Sequence, residues 1–372
     1  MSKKYNILVT TVFCGFLGLV LGASLVLPDK EFSDLENRNL SKVPTLSVES
    51  VMDGKFMADA EDYTADHIVG RDFWVALKAW CERLSGKQEN NGVYFAGEES
   101  LINHMDKPDM DKAIQSVGHI NKLVGNVDVP VYFGLIPSAA QIWKERLPEG
   151  APTADESGLI DVLYSNSQAI NLDMESTLAA HKEEEIYYRT DHHWSSLGAG
   201  YGANVLLEAM GLEPLDLESY EKTTVSDQFY GTIFSSSGVR WVRPDAIDIY
   251  IPEEGVKVTS NFTGKEEPGE MYVESYLEKK DKYSYFLGGN QPLCVLETEK
   301  NDGPKVLVIR DSYSDSLAPF LTERCSEVHL FDLRYNLNSI QQYVEENDID
   351  HVVVLYSFHN FSQGTNLFAL GR

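Results

Sequence analysis

Two short stretches carry the residue types that acyl transfer requires. Thr190-Asp191-His192-His193-Trp194 places a carboxylate and an imidazole two residues apart, and Val308-Ile309-Arg310-Asp311-Ser312-Tyr313 ends an apolar run on a serine. A serine hydroxyl is a weak nucleophile at neutral pH. It needs an imidazole to take its proton, and the imidazole needs an acceptor that fixes its tautomer and stabilises the imidazolium. Ser312, His193 and Asp191 are therefore the candidate nucleophile, base and orienting acid. Taken singly, Asp191 reads as a helix cap, His193 as a core histidine and Ser312 as a helix N-cap; their coincidence favours catalysis. His192 is expected to diverge from His193, as adjacent side chains do in extended backbone. Asp311, beside Ser312, is expected to be structural. Asp-His-His also occurs in manganese phosphoesterases, but these need further ligands at other strand ends; Asp109 and Asp111 are the only loose candidates, so no metal or cofactor is expected.

The flanking sequence says what holds these residues. Lys305–Ile309 reads as a buried parallel strand and Tyr313–Leu321 as the helix after it, which puts Ser312 on a strand-to-helix turn whose backbone N–H groups face an oxyanion. Val129–Ile136 reads as the first core strand, ending at Pro137-Ser138. A helix is expected from about 158 to 181, and Ser195 or Ser196 caps the next one, running through Tyr201 and Val205 to Met210. Strands at 305–310, 327–332 and 350–356, with helices near 313–323 and 337–346, predict an α/β domain with a mostly parallel sheet covered on both faces.

Residues 225–300 have short β-type runs and many turn residues, and are expected to form a β-rich insertion that covers the site, with Tyr230, Phe234 and Trp241 available to line a groove. Gly288-Gly289-Asn290 is either an oxyanion or substrate contact or an ordinary turn. Arg310 either holds a carboxylate or pairs with Asp311 or Asp332. Trp194 either packs beside the triad or borders an acceptor sugar.

Composition sets the compartment. The 372 residues carry a net charge of −27, and no Lys/Arg cluster suggests a nucleic-acid surface. Lys3 and Lys4 precede an uncharged apolar run from Ile7 to Leu27, long enough to cross a bilayer with the basic end in the cytoplasm and the rest outside. A cleaved signal is the alternative, with its best site after Ala23, but Leu21 is a poor residue two positions earlier. Cys14 lies inside the run without a lipoprotein context. Cys81, Cys294 and Cys325 are too few for a disulfide framework and lack zinc spacing. The expected organisation is an anchor over 1–28, a stalk and helical lead-in over 29–100, and the α/β domain over 101–372. In the lead-in, Phe56, Tyr63, Phe73, Trp74, Leu77 and Trp80 recur at helical spacing and are expected to be core.

These motifs carry a resemblance. Thr190–Trp194, Arg310–Tyr313 followed by Ala318-Pro319-Phe320-Leu321, and Phe286–Asn290 together resemble the DHHW protein family of membrane-anchored bacterial proteins, which is similar to the SGNH hydrolase-like domains of alginate O-acetyltransferases. Phe32–Arg38 and Arg71–Trp74 also fit, so the resemblance covers nearly the whole chain after the apolar segment. In the alginate-type domains the Asp-x-His pair precedes the serine, as here; Arg310 departs from the usual glycine before Asp-Ser. The resemblance implies an SGNH hydrolase-like, flavodoxin-like three-layer fold. It also implies a membrane-anchored, extracytoplasmic O-acetyltransferase for a cell-surface or exported polysaccharide. The acetyl group would be handed outward by a membrane-bound O-acyltransferase, since acetyl-CoA is cytoplasmic. Tyr313, Arg310, Gly289, Asn290, Arg189 and Trp194 are the oxyanion or substrate-binding candidates. An acetylesterase with the same triad and a non-catalytic polysaccharide-binding protein remain the alternatives.

Overall fold

The computed structural model describes residues 3–299, 302–364 and 366–371. Two compact units divide the chain, Met1–Asn91 with Phe234–Trp241, and Gly92–Ile233 with Val242–Arg372.

The larger unit is mixed α/β, built on an eight-stranded sheet. Across it run Glu267–Gly269, Val256–Ser260, Leu293–Thr298, Glu327–Phe331, Lys305–Arg310, His351–Ser357, Val131–Ile136 and Ile170–Leu172. The last five of these are mutually parallel, and the first three extend one edge antiparallel. Side chains alternate across a strand with a period of two, and the central strands use both faces. Val306, Val308, Val353 and Leu355 pack into one apolar cluster with Leu178, Ala199, Ala203 and Leu317. Leu307, Ile309, Val352 and Val354 pack into the other with Val117, Ile120, Ile160 and Phe361. A strand buried on both sides reads as a continuous apolar run, which is why Lys305–Arg310 is recognisable in sequence.

Two expectations are corrected here. The helix over 158–181 is two helices, Glu156–Ser165 and Met174–Ala180, with the edge strand Ile170–Leu172 between them. Asn166 and Ser167 end the first, and Asp173 caps the second by accepting the Ser176 N–H at 2.9 Å. Residues 225–300 do not stand apart from the core. Thr223–Phe229 pairs with Asp245–Ile249, and the three antiparallel edge strands of the main sheet all come from this stretch.

In the smaller unit, Lys3–Val26 is a 24-residue helix with no buried residue, whose most apolar 18-residue window has a mean hydropathy of 2.2; it is the one described helix long and apolar enough to cross a membrane. After it, Asp66 organises the chain. Its carboxylate accepts from the Arg38 guanidinium and from the Ser41 N–H (2.8 Å), while Arg38 and Arg71 both hold Glu36 at 2.8 and 2.7 Å. The hydrogen bond from Arg38 holds the Asp66 carboxyl well below the usual range, against its partial burial. The motifs Phe32–Arg38 and Arg71–Trp74 are thus two sides of one ion-pair network. The aromatic stripe expected to be core is not: Phe73, Leu77 and Trp80 are exposed. Phe234 and Trp241 belong to this unit, where Trp241 packs on Trp80 at 4.5 Å between ring centroids.

The helix Ser196–Ala209 fixes the loop before it by close backbone approach. A Cβ on Gly198 would lie 2.2 Å from the Ile186 carbonyl oxygen, and one on Gly202 would lie 2.7 Å from the Trp194 ring. Gly198→Ala should therefore destabilise the protein by about 1–3 kcal/mol, the usual range for overpacking. Urea unfolding checks it; an unchanged midpoint would contradict the close approach.

Candidate active site

The Asp-His-His-Trp segment is a pinned loop. Tyr187 bridges Trp194 in antiparallel fashion, and the Tyr188 N–H donates to the His193 carbonyl at 3.2 Å. Asp245 closes the loop's back, accepting the N–H groups of Arg189 and Thr190 at 3.0 and 2.9 Å. Ser195 caps the following helix through the Gly198 N–H. Arg189 is taken up in this tether, pairing with Asp245 at 3.2 Å and donating to the Pro244 carbonyl at 2.9 Å. Its Nε and Nη2 fasten the loop, while Nη1 meets no hydrogen-bond partner among the described residues.

The tether presents Asp191 and His193 to Ser312. His193 Nδ1 lies 2.6 Å from Asp191 Oδ1, and His193 Nε2 lies 2.8 Å from Ser312 Oγ. An ionised carboxylate only accepts, so Nδ1 carries the proton and Nε2 is left to accept from the serine hydroxyl. The His193 N–H also donates to Asp191 Oδ1 at 3.0 Å, and Asp191 Oδ2 accepts from the Thr232 N–H (2.7 Å) and hydroxyl (3.0 Å). Burial opposes charge on Asp191. The imidazoles of His192 and His193, and the hydrogen bonds from His193 and the Thr232 N–H, outweigh it and hold the carboxyl well below its usual range. His192 does not diverge from His193. The backbone bends through residues 189–193, so the two rings stand 3.9 Å apart, with His192 Nδ1 bonded to the Thr232 hydroxyl at 2.7 Å. Burial and the neighbouring His193 push His192 down to about 4, against the pull of Asp191.

Ser312 sits on the turn between Lys305–Arg310 and the helix Ser314–Leu321. Asp311 turns the other way. Its Oδ2 accepts from the Ser357 N–H, the Ser357 hydroxyl and the Asn360 amide at 2.8–2.9 Å, and its Oδ1 accepts the Tyr313 N–H at 3.1 Å. The Tyr313 N–H is thereby committed, and the Gly289 N–H is given to the Phe286 carbonyl at 3.2 Å. Neither is an oxyanion donor in this arrangement. The Ser312 N–H meets no acceptor among the described residues. The Tyr313 hydroxyl donates to the His192 carbonyl, joining the two motifs a second time. Trp194 is wholly buried and donates to the Tyr313 carbonyl at 2.9 Å, so it packs and does not border a ligand.

Arg310, where the related motif has glycine, is fully buried. It pairs with Asp315 at 3.0 Å, with Asp332 at 4.0 Å, and donates to the Asn290 side-chain oxygen at 3.1 Å. Asn290, itself exposed, also accepts from Arg334 at 2.8 Å and so links the buried Arg310 to the half-buried Arg334 behind the turn. Burial pushes the Asp315 carboxyl up to about 6, against the pull of Arg310 and His193.

Sequence reasoning missed Thr232, Asp315, Asp245 and Tyr283. The Tyr283 ring stacks on the His193 imidazole at 3.8 Å and 9°, and its hydroxyl bonds the Ser312 carbonyl and the Ser316 hydroxyl, both at 3.0 Å. Asp315 lies three residues after Ser312 in the helix that follows it, but Thr232, Asp245 and Tyr283 lie in stretches that no spacing links to either motif. A cavity of about 390 Å³ adjoins the site, lined among others by His192, Tyr313, Ser138, Ser357, His359 and Asn360. Asp191, His192 and His193 also place ligand atoms within 4.8 Å of one another. Both ring nitrogens of His193 already have partners, so a metal there would compete with the contact to Ser312.

Gly231 leaves room for this carboxylate, because a Cβ there would fall 2.2 Å from that of Asp191. Gly231→Ala should displace Asp191 and remove the low-field Nδ1–H proton signal of His193. NMR of histidine-labelled protein reads this; a retained signal would contradict the packing.

Comparison with known proteins places this arrangement. A curated relative, a probable alginate O-acetylase AlgJ of Pseudomonas syringae pv. tomato, is 23% identical over 239 residues, 60% of this chain; the chain spans 57% of that relative's length. A crystal structure of a DHHW family protein from Eubacterium siraeum matches with a TM-score of 0.66 at 24% identity, covering 76% of this chain and 95% of that one. The structure of Bacillus cereus PatB1 with a sulfonyl adduct matches with a TM-score of 0.64 at 20% identity, covering 75% and 98%. These likenesses show a shared fold. The family model described as DHHW protein matches residues 131–331, more than half of the chain and inclusive of both motifs, and the chain therefore belongs to the DHHW protein family.

Proposed function

We propose that this protein is a membrane-anchored O-acetyltransferase with an SGNH hydrolase-like fold, acting outside the cytoplasm on a cell-surface or exported polysaccharide. The observation that carries the reading is the continuous hydrogen-bonded path Asp191–His193–Ser312, at 2.6 and 2.8 Å. The alginate O-acetylase named among the relatives supports the substrate class.

In this reading Ser312 Oγ attacks the acetyl carbonyl while His193 Nε2 takes the hydroxyl proton. The Ser312 N–H faces the developing oxyanion. His193 returns the proton to the leaving group as the carbon–oxygen bond to the donor breaks, leaving acetyl-Ser312. A sugar hydroxyl then attacks that ester, His193 takes its proton, and collapse of the second tetrahedral intermediate releases acetylated sugar and restores Ser312. Asp191 stays ionised throughout and holds the imidazolium. The acetyl donor comes from a membrane-bound partner, because acetyl-CoA is confined to the cytoplasm. The anchor is the helix Lys3–Val26, so the full-length chain should fractionate with membranes, with residues 29–372 open to external protease. A soluble mature protein beginning near Ser24 would show a cleaved signal instead.

Alanine at Asp191, His193 or Ser312 should each lower hydrolysis of an activated acetyl ester by about 10³-fold or more, and the losses should not add, because the three act as a unit. His192→Ala and Asp311→Ala should lose less. Circular dichroism must show each variant folded; a folded Ser312→Ala enzyme with full activity overturns the assignment. Supplied with an acetyl donor and candidate oligosaccharides, the protein should yield acetylated sugar by mass spectrometry. Free acetate alone across a broad glycan panel would make it an esterase.

A further inference from the structure

The helix Arg71–Leu84 has two apolar faces. At about 100° of rotation per residue, Phe73, Leu77, Trp80 and Leu84 fall on one narrow stripe, and Val75 and Ala79 lie on the far side. Ala79 is buried, but Phe73, Leu77, Trp80 and Leu84 remain 60%, 39%, 43% and 80% exposed. Most large apolar side chains exposed outside the apolar N-terminal helix lie between residues 32 and 84. A helix that is apolar on both sides needs a second apolar environment.

The position of this helix indicates which environment that is. The Val69 N–H, two residues before Arg71, donates to Ser24 Oγ at 2.9 Å, and the Trp74 ring packs edge-on against Phe16 at 6.1 Å. Ser24 is near the outer end of Lys3–Val26, and Phe16 lies about 12 Å further along the helix axis. A helix tied at both levels to a membrane-crossing segment begins at the depth of the outer leaflet. Trp is a side chain favoured at the membrane interface, and a stripe of Trp, Phe and Leu opposite a packed or polar face is the pattern of helices lying there. A second copy of the chain would have to cover a face whose first turn is already held beside lipid.

We propose that Arg71–Leu84 lies at the boundary of headgroups and acyl chains in the outer leaflet, with Phe73, Leu77 and Leu84, and the edge of Trp80 left open beside Trp241, directed to the acyl chains. The protein then contacts the membrane along a second element besides its anchor. This rests on the anchor reading given under Proposed function. Lys78, well off the stripe, faces water or headgroups.

The test uses the full chain in phospholipid vesicles. With Cys14 and Cys81 changed to Ser, an environment-sensitive fluorophore is attached at Phe73→Cys, Leu84→Cys, Lys78→Cys or Leu17→Cys in turn; Cys294 and Cys325 are buried. Quenching by aqueous iodide should be at least about threefold weaker at positions 73 and 84 than at 78, and shallow nitroxide lipids should quench 73 and 84, as expected for a face sunk in the interface. Iodide access at 73 and 84 equal to that at 78 overturns the proposal. So does protection from both quenchers that is lost on diluting the protein in lipid, which would assign the face to a second copy. Leu17→Cys separates the two readings. If it is lipid-quenched while 73 and 84 are not, only this proposal fails; if it too is open to iodide, the anchor reading fails and takes the proposal with it.

Discussion

The site depends on one contact between distant parts of the chain, the 2.8 Å hydrogen bond from Ser312 to His193, joining residues 119 apart in sequence. It exists only if the end of a central strand and a loop outside the sheet keep their separation to a fraction of an ångström. The rest of the larger unit supplies that constraint. The strand Lys305–Arg310 lies between two parallel neighbours and is packed on both faces. The loop is closed from behind by Asp245 and from the front by the Tyr313 hydroxyl. Tyr283 then lies flat on the imidazole while bonding the Ser312 carbonyl, so that one side chain touches both partners.

The charge distribution around the turn follows from burial. Asp191 is buried yet stays ionised because the His193 Nδ1–H and N–H and the Thr232 N–H and hydroxyl donate to it. Arg310 and Asp315 lie at 3.0 Å, but their geometry falls short of a hydrogen bond, and both sit one step behind Ser312. Removing one member of such a buried pair leaves an uncompensated charge and costs about 3–5 kcal/mol. Arg310 therefore holds the turn from inside, and its place before Asp311 and Ser312 needs no contact with substrate to be explained.

How much of this was legible in sequence depended on whether a signal was local. The central strands were readable as apolar runs, and Asp191, His193 and Ser312 were readable because two compact motifs each carried a chemical residue type. The helix expected over 158–181 failed because the apolar spacing runs on either side of Asn166, where only the polar break and the cap at Asp173 mark an edge strand. Thr232, Tyr283 and Asp245 reach the site through tertiary contacts from stretches without pattern, so nothing in the sequence points to them. Arg189, Gly289 and Asn290 have residue types that suit ligand contacts, but Arg189 is paired with Asp245, the Gly289 N–H is given to Phe286, and the Asn290 side-chain oxygen accepts from Arg310 and Arg334. The stripe at Phe73, Leu77 and Trp80 had the right period and the wrong neighbour, because periodicity shows that a face is apolar and not what covers it.

The central claim is that His193, oriented by Asp191, makes Ser312 nucleophilic. Its most direct test is covalent labelling with a sulfonyl fluoride, followed by peptide mass spectrometry and the rate of adduct formation. The account predicts one adduct, on the Ser312 peptide, forming rapidly in the native chain and slowed by about 10³-fold or more in His193→Ala. An adduct on a different residue, or labelling of Ser312 at the same rate without His193, would contradict it.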